Sequence, residues 1–348
     1  MIWELAGSAA VAGAISLVVC LLLIRRGPVD LPNEQRKAHQ APTPTSGGIG
    51  IGAGYAVGLL VLWRFAEQTT FNAQGAALAA LASVFAIGFL VVGFIDDARH
   101  LGPRTKMFWF TLLSLGASIT MGVVDALPVS PNHTVRLGFM LGLFGTSLWV
   151  FTLVNCANFM DGANGLSMGS MAVGLTALGA IGYAGGSNST LAMCFCAAGA
   201  LAGFLVFNFP KGRIFAGDSG ALFVGAIAAL GALVAIARAG VSPFIPPILF
   251  MPILADALLT LAWRVKHGHS LLVGHREHLY QIAMRAGWSH TRVSLLYWAL
   301  MALCGVLGFA LSHSDDPSHA WIALLAVAGL LLAASILVRK YARTHGMS

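Results

Sequence analysis

Long apolar stretches broken by short polar loops dominate the chain. Runs of about 18 or more apolar residues are long enough to cross a bilayer as helices. Eleven such runs fall at roughly 2–24, 47–65, 75–95, 107–124, 137–154, 166–184, 190–207, 219–237, 245–264, 293–311 and 320–338. The pair 166–184 and 190–207 is separated only by a Gly-Ser-Asn-Ser turn. Pro252 lies inside the ninth run, where a proline removes a backbone hydrogen bond. The expectation there is a bent helix, opening a lipid-facing groove near Asp256. No repeat of 20–50 residues and no low-complexity linker is visible.

Composition narrows the class. Of 348 residues, 57% are hydrophobic and only 9% are charged, against about 25% charged in ordinary soluble domains. A soluble enzyme or a disordered chain is excluded. The expected fold is all-α, a polytopic integral membrane protein of about 11 transmembrane helices forming one domain over 1–348. The net charge of +7 need not signal nucleic acid, because a membrane explanation is at hand. Of the 20 Lys and Arg residues, 17 fall in one set of loops and only Arg64, Arg136 and Arg238 on the other face. The positive-inside rule places the larger set in the cytoplasm. The N-terminus is then outside and the C-terminus inside, which requires an odd number of spans. The first run lacks a basic leader and carries Glu4, so it reads as a span and not as a cleaved signal. The five cysteines form no CxxC pair and read as small buried hydrophobes.

The chemistry-bearing residues collect in the presumed cytoplasmic segments 25–47, 96–106, 155–166, 208–220 and 264–292. Asp96 and Asp97 follow an apolar run directly. Adjacent carboxylates repel, so one protonates or both need a cation, for which a divalent ion with oxygen ligands is economical; a solvated helix end is the alternative. Asn155, Asn158, Asp161 and Asn164 recur every three residues with Gly162 and Gly165 between them. That spacing lines polar groups along one face of a helix end, although Asp161 alone also reads as an N-cap. Asp218 precedes the eighth run, near Lys211 and Arg213; the two basic residues suit a phosphate or simply follow the positive-inside bias. His267, His269, His275 and His278 crowd one loop with Arg276 and Glu277, in a spacing that matches no common zinc pattern. Anion binding with Arg276 is the better reading, and 279–284 reads as a short helix on the membrane surface. Carboxylates that hold a cation and basic groups that hold phosphate are the equipment of phosphoryl transfer. Beside a bilayer, one substrate is then a lipid. A transporter or lipid flippase is the alternative; it calls for mid-membrane ionisable residues and internal repeats.

These motifs together resemble the polyprenyl-phosphate N-acetylhexosamine-1-phosphate transferases, glycosyltransferase family 4. Asp30-Leu-Pro-Asn33, Arg36-Lys37-x-His39, Pro44 and Gly47-Gly48 resemble the family's first inner loop. Asp96-Asp97 followed by Lys106, Asn158-Phe-Met-Asp161-Gly, Asn208 through Asp218-Ser-Gly220, and His275-Arg-Glu-His278 resemble its later motifs. The resemblance implies transfer of an N-acetyl-sugar 1-phosphate from a UDP-N-acetyl-hexosamine to undecaprenyl phosphate. The products are a lipid diphosphate sugar and UMP, formed at a site facing the cytoplasm from a bacterial inner membrane.

It further implies Mg2+, with Mn2+ substituting, at Asp218, Asp96 and Asp97, and catalytic roles for Asp96, Asp97, Asp161, Asp218 and His278. The implied substrate-binding residues are Lys37, His39, Lys106, Asn155, Asn158, Asn164, Asn208, Phe215, His275 and Arg276, with Phe215 near the uracil. No nucleic acid is involved, and a homodimer is the implied assembly. Asn164 stands where Asp is common, and His278-Leu-Tyr280-Gln281 replaces a His-x-His-His segment. This variant resembles the branch that primes O-antigen lipopolysaccharide synthesis more than the cell-wall muramoyl-pentapeptide branch. Whether an aspartate acts as a base stays open; a phosphate monoester near pH 7 is already largely dianionic, its second pKa being about 6, which favours positioning.

Overall fold

The computed structural model describes residues 2–26, 29–30, 43–65, 73–270 and 275–346. Lys37 and His39, and with them most of the first inner loop, lie outside these residues. Helices account for most of the described chain: α1 (Ile2–Arg26), α2 (Gly47–Phe65), α3 (Ala73–Arg99), α4 (Pro103–Met121), α5 (Gly138–Phe159), α6 (Leu166–Ala184), α7 (Asn188–Asn208), α8 (Gly217–Ala239), α9 (Ile245–Leu249), α10 (Met251–Lys266), α11 (Leu279–Arg285), α12 (His290–Ser312) and α13 (Ser318–Thr344). Among the described residues, nine are long and apolar enough to cross a membrane; α4 and the α9–α10 pair fall outside that count. The protein is an all-α polytopic membrane protein. Two small antiparallel pairs interrupt the helices: β1 (Val29–Asp30) with β2 (Thr43–Pro44), and β3 (Ala126–Ser130) with β4 (His133–Arg136). No alternating pattern long enough to announce them exists in the sequence.

Helix α8 is the centre. It is apolar all round and buried along almost its whole length, as expected of a helix with no solvent- or lipid-facing stripe. Its alanines and glycines let α2, α3, α5, α6 and α7 pack against it at close range. The closest approach is functional. A Cβ on Gly93 of α3 would lie 2.6 Å from the Ser219 Cα, inside the first turn of α8. No side chain fits there without parting the two helices. Gly93→Ala is therefore expected to destabilise the protein by about 1–3 kcal/mol, read as a lower thermal midpoint in detergent. It should lower turnover too, because α3 carries Asp97 one turn further on.

The ninth predicted span is not one helix. It breaks at Phe250 (φ −102°, ψ 9°), and Pro252 then sits in the first turn of α10, where its missing N–H is not needed. The break thus falls two residues before the proline. Asp256 does not border a groove: it is 1% exposed and enclosed by α10, α11 and α12. α11 occupies the place expected of the short surface helix.

Candidate active site

The described parts of the informative segments meet at one end of the bundle, and hydrogen bonds tie each to another. The 44–48 strand-to-helix turn lies along the start of α8: Phe215 N–H donates to Pro44 O at 2.8 Å, Gly47 N–H to Phe215 O at 2.9 Å and Gly48 N–H to Ala216 O at 2.9 Å. Phe215 is half-buried in this strip. Gly217 follows with φ +69°, a left-handed conformation open to glycine, and its missing Cβ leaves room for Thr45 O and the Asp97 carboxylate.

The two adjacent aspartates do different work. Both carboxylate oxygens of Asp97 accept backbone N–H groups at the start of α8, from Asp218 at 2.9 Å and Ser219 at 3.1 Å. The true N-cap residue, Ala216, has no side chain for this, so Asp97 caps α8 from a different helix. A negative charge at that N-terminus also suits the helix dipole. Asp96 turns the other way. It accepts from Leu101 N–H at 2.7 Å and forms an ion pair with Lys106. Lys106 reaches Asp218 Oδ2 as well, at 3.2 Å, and Asn158 Nδ2 donates to Asp218 Oδ1 at 2.9 Å. One ammonium therefore sits between two carboxylates from α3 and α8, with an amide alongside.

The regular row of polar residues divides. Asn155 is buried and its Nδ2 donates back to Phe151 O at 2.7 Å, within its own helix; it does not face the aspartates. Asn158 joins Asp218. Asp161 lies past the end of α5, half-buried, and does not cap α6, whose N-cap is Gly165. Burial first, then the charges of Asp218 and Asp97, raise its carboxyl well above the usual range. Asn164 Nδ2 donates to Pro210 O at 2.9 Å. Asn208, expected to line a nucleotide site, is buried with both ends of its amide engaged: Oδ1 accepts from Gly165 N–H at 2.7 Å and Nδ2 donates to Ile214 O at 2.8 Å. It staples the 162–165 turn to the 208–215 turn. Lys211 and Arg213 are exposed, and Arg213 lies 5.4 Å from the Phe207 ring centre.

Three residues of α12 were not singled out by sequence. His290 Nδ1 accepts from Asn164 N–H at 3.1 Å, Ser294 Oγ donates to Asn164 O at 2.7 Å, and Trp298 Nε1 donates to Gly165 O at 2.9 Å. They are spaced by four, hence one face of a helix, and they hold the turn that follows Asp161. Trp298→Phe keeps a six-membered aromatic ring and removes the donor with the rest of the indole. It is expected to lower kcat several-fold with little change in the folded state, as judged by turnover and a thermal melt on the same sample.

The histidine loop rests on Asp256. That carboxylate accepts from Leu279 N–H at 2.7 Å, Tyr280 N–H at 3.1 Å and Tyr297 Oη at 2.5 Å, and His278 Nδ1 lies 3.4 Å away. His278 is buried, and its ring is stacked between those of His275 (5.0 Å) and Tyr280 (5.8 Å). The Tyr280 hydroxyl occupies the space left by Gly162, which brings the loop against the Asp161 turn. Arg276 is exposed. Glu277 pairs with buried Arg264; burial would raise its carboxyl, but the Arg264 bond and charge hold it below the ordinary range.

Burial, then His278 and Arg264, push His275 from the ordinary 6.5 to about 4. Both groups bind protons more readily when the loop is unfolded. Loop stability therefore falls as pH drops from about 6.5 towards 4. Hydrogen exchange over 275–285 should rise across that window, and His275→Gln should flatten the rise.

Among the described residues, no three His, Cys, Asp or Glu side chains converge as a metal-ligand set. Of the expected aspartate trio, Asp96 and Asp218 face one cation, Lys106, while Asp97 accepts one N–H of α8 on each oxygen and keeps further lone pairs. Two hard carboxylates aimed at a common point do fit a divalent ion of the magnesium type.

Comparison with known proteins identifies the family. A family model described as glycosyl transferase family 4 matches residues 78–236, which hold Asp96, Asp97, Lys106, Asn158, Asp161, Asn208 and Asp218. The chain is 28% identical over 339 residues to a decaprenyl-phosphate N-acetylglucosaminephosphotransferase of Mycobacterium tuberculosis, covering 90% of this chain and 83% of the relative. It is 28% identical over 331 residues to a probable undecaprenyl-phosphate N-acetylglucosaminyl 1-phosphate transferase of Bacillus subtilis, covering 91% and 86%. A phospho-N-acetylmuramoyl-pentapeptide-transferase of Moorella thermoacetica is 30% identical over 285 residues, covering 77% of this chain and 84% of the relative. Motifs, helices and this shared length together place the chain in glycosyl transferase family 4, among the polyprenyl-phosphate sugar-phosphate transferases.

Proposed function

We propose that the protein transfers an N-acetyl-sugar 1-phosphate from a UDP-sugar to a polyprenyl phosphate, at the end of the bundle where Asp96, Asp218, Lys106 and Asn158 meet. The single observation that carries this is Lys106 held between carboxylates of α3 and α8 beside the Asn158 amide. An ammonium between two acids is a charge balance that an entering diphosphate alters: the phosphate draws Lys106, and the carboxylates become free to share another cation. Mg2+, or Mn2+ in its place, would be held by Asp218 and Asp96, and when bound it neutralises diphosphate charge and favours departure of UMP.

A terminal oxygen of the lipid phosphate attacks the β-phosphorus of the donor. A new P–O–P bond forms, the α–β bridge breaks, and UMP leaves with the electron pair. The attacking phosphate monoester is already largely dianionic, its second pKa being about 6, so no side chain has to remove a proton. Asp97 acts through α8, which it fixes in place. Asp161, His278 and the Asn164 turn shape the donor side of the pocket.

The charge distribution supports a site on the cytoplasmic side of a bacterial inner membrane, and names of relatives support undecaprenyl or decaprenyl phosphate as the acceptor. The His278-Leu-Tyr280-Gln281 variant favours a role in priming O-antigen synthesis. A homodimer, implied by the family resemblance, is read by light scattering in detergent.

Purified protein is expected to release UMP from a UDP-N-acetyl sugar only when both lipid phosphate and magnesium are present, and a panel of such sugars identifies the donor. UMP release without lipid phosphate would overturn the transferase assignment.

A further inference from the structure

A second cationic cluster lies apart from the aspartates, where the ends of α10 and α13 meet. Arg339 and Arg343, one helical turn apart on α13, both stand over the ring of Trp263, at 5.0 and 5.7 Å from its centre. His267 stacks on the same ring at 4.3 Å. Arg343 Nη2 donates to His267 Nε2 at 2.8 Å, and His267 Nδ1 then donates to Trp263 O at 2.7 Å. Arg339 is 8% exposed; its Nη2 donates to Thr260 Oγ1 at 2.7 Å, and its Nε, also buried, meets no acceptor.

Two guanidinium groups against one ring repel each other, and a buried charge without a counter-ion is costly. Among the described residues no carboxylate forms an ion pair with either arginine. The nearby acids are committed elsewhere, Glu277 to Arg264 and Asp256 to the start of α11. Both acids lie close enough to act on Arg339, but they also serve Arg264 and α11, so the described residues leave the cluster with an excess of positive charge.

The surroundings identify its kind. Going back along α13 from Arg339, Ile336 and Leu332 follow at spacings of three and four, exposed together with Leu337. The distance from Ile336 to Arg343 along the helix is about 10 Å at 1.5 Å per residue, which matches the step from acyl chain to headgroup. We propose that this face binds the anionic phosphate headgroup of a membrane lipid, with the phosphate on Arg343, which His267 orients, beside the buried charge of Arg339, and the acyl chain along Leu332 and Ile336. The site borders the outer side of the histidine loop, apart from the aspartates, and the proposal is independent of the transferase reading.

The test is a thermal melt in neutral detergent with phosphatidylglycerol, phosphatidylcholine or inorganic phosphate added. Phosphatidylglycerol is expected to raise the midpoint by about 3 °C or more, well beyond the other two. Arg343→Gln, a change at an exposed residue, should abolish that shift. Lys340→Gln, which removes the same charge from the same turn but away from Trp263, should leave it intact. Equal loss in the two variants would reduce the effect to general surface charge and overturn the site. Equal stabilisation by phosphatidylcholine or inorganic phosphate would overturn the anionic-lipid assignment. No turnover enters this readout, so its failure and that of the transferase reading are separable.

Discussion

Asp218→Asn is expected to lower turnover by about 10^2- to 10^3-fold, the usual consequence of losing one electrostatic contact at a reacting centre, while the protein stays folded. The geometry makes this separation sharp. Asp218 lies in the first turn of α8 but does not cap it; the free N–H groups there are met by Asp97. Removing the Asp218 charge weakens its hold on Lys106, while the amide oxygen can still accept from Asn158, and the helix end is not left unsatisfied. Asp97→Asn should behave differently. An amide has one acceptor oxygen where the carboxylate has two, so one N–H of α8 loses its partner and stability falls by about 1–3 kcal/mol along with activity. Turnover and thermal midpoint measured on both variants distinguish the reacting aspartate from the positioning one. If Asp218→Asn unfolded the protein and Asp97→Asn did not, the two roles would be reversed.

Asp256→Ala is expected to have the largest effect on stability, about 3–5 kcal/mol, the range for breaking a buried charged network. Nothing about the reaction requires it. Asp256 is the acceptor for two backbone N–H groups and a tyrosine hydroxyl, all buried or half-buried, and it faces His278. Without it α11, only seven residues long, loses the anchor of its first turn, and the His275–His278 stack loses its floor. Tyr297→Phe removes a single bond to the same carboxylate and should cost about 1–3 kcal/mol, leaving a folded enzyme with a looser loop. Hydrogen exchange over 275–285, compared with exchange elsewhere, reads this directly. Uniform exchange in Asp256→Ala would mean that the loop does not depend on this carboxylate.

The helices were legible because a bilayer leaves few alternatives to a long apolar run. Each predicted run contains a helix, and apart from the ninth, which divides at Phe250, the differences lie at the ends: α3 continues through Asp97 to Arg99, and α5 through Asn158 to Phe159, so residues read as loop are the last turns of helices. The aspartates were legible as chemistry, since charge beside an apolar run has few structural uses; Lys106 was marked only by the family resemblance. Their division of labour was not. Asp96 and Asp97 are neighbours in sequence, yet one meets Lys106 and the other caps a helix more than a hundred residues away, a contact that only tertiary packing creates. The three-residue rhythm from Asn155 to Asn164 read as one face, but α5 ends inside it, and each residue finds a different partner. For Asn208 the family resemblance implied a ligand contact, and in the fold its amide joins two turns. His290, Ser294 and Trp298 did leave a sign, polar side chains at steps of four in an apolar helix, which marks a face with hydrogen bonds to make.

The claim on which the account rests is that Asp96 and Asp218 act on one point through Lys106. A double-mutant cycle of Asp96→Asn and Asp218→Asn, measured as single-turnover formation of the lipid-linked sugar, tests it. Residues that work as a unit lose most of their effect together, so the double variant is predicted to be little worse than the poorer single variant. Losses that multiply would show two independent sites and contradict the account.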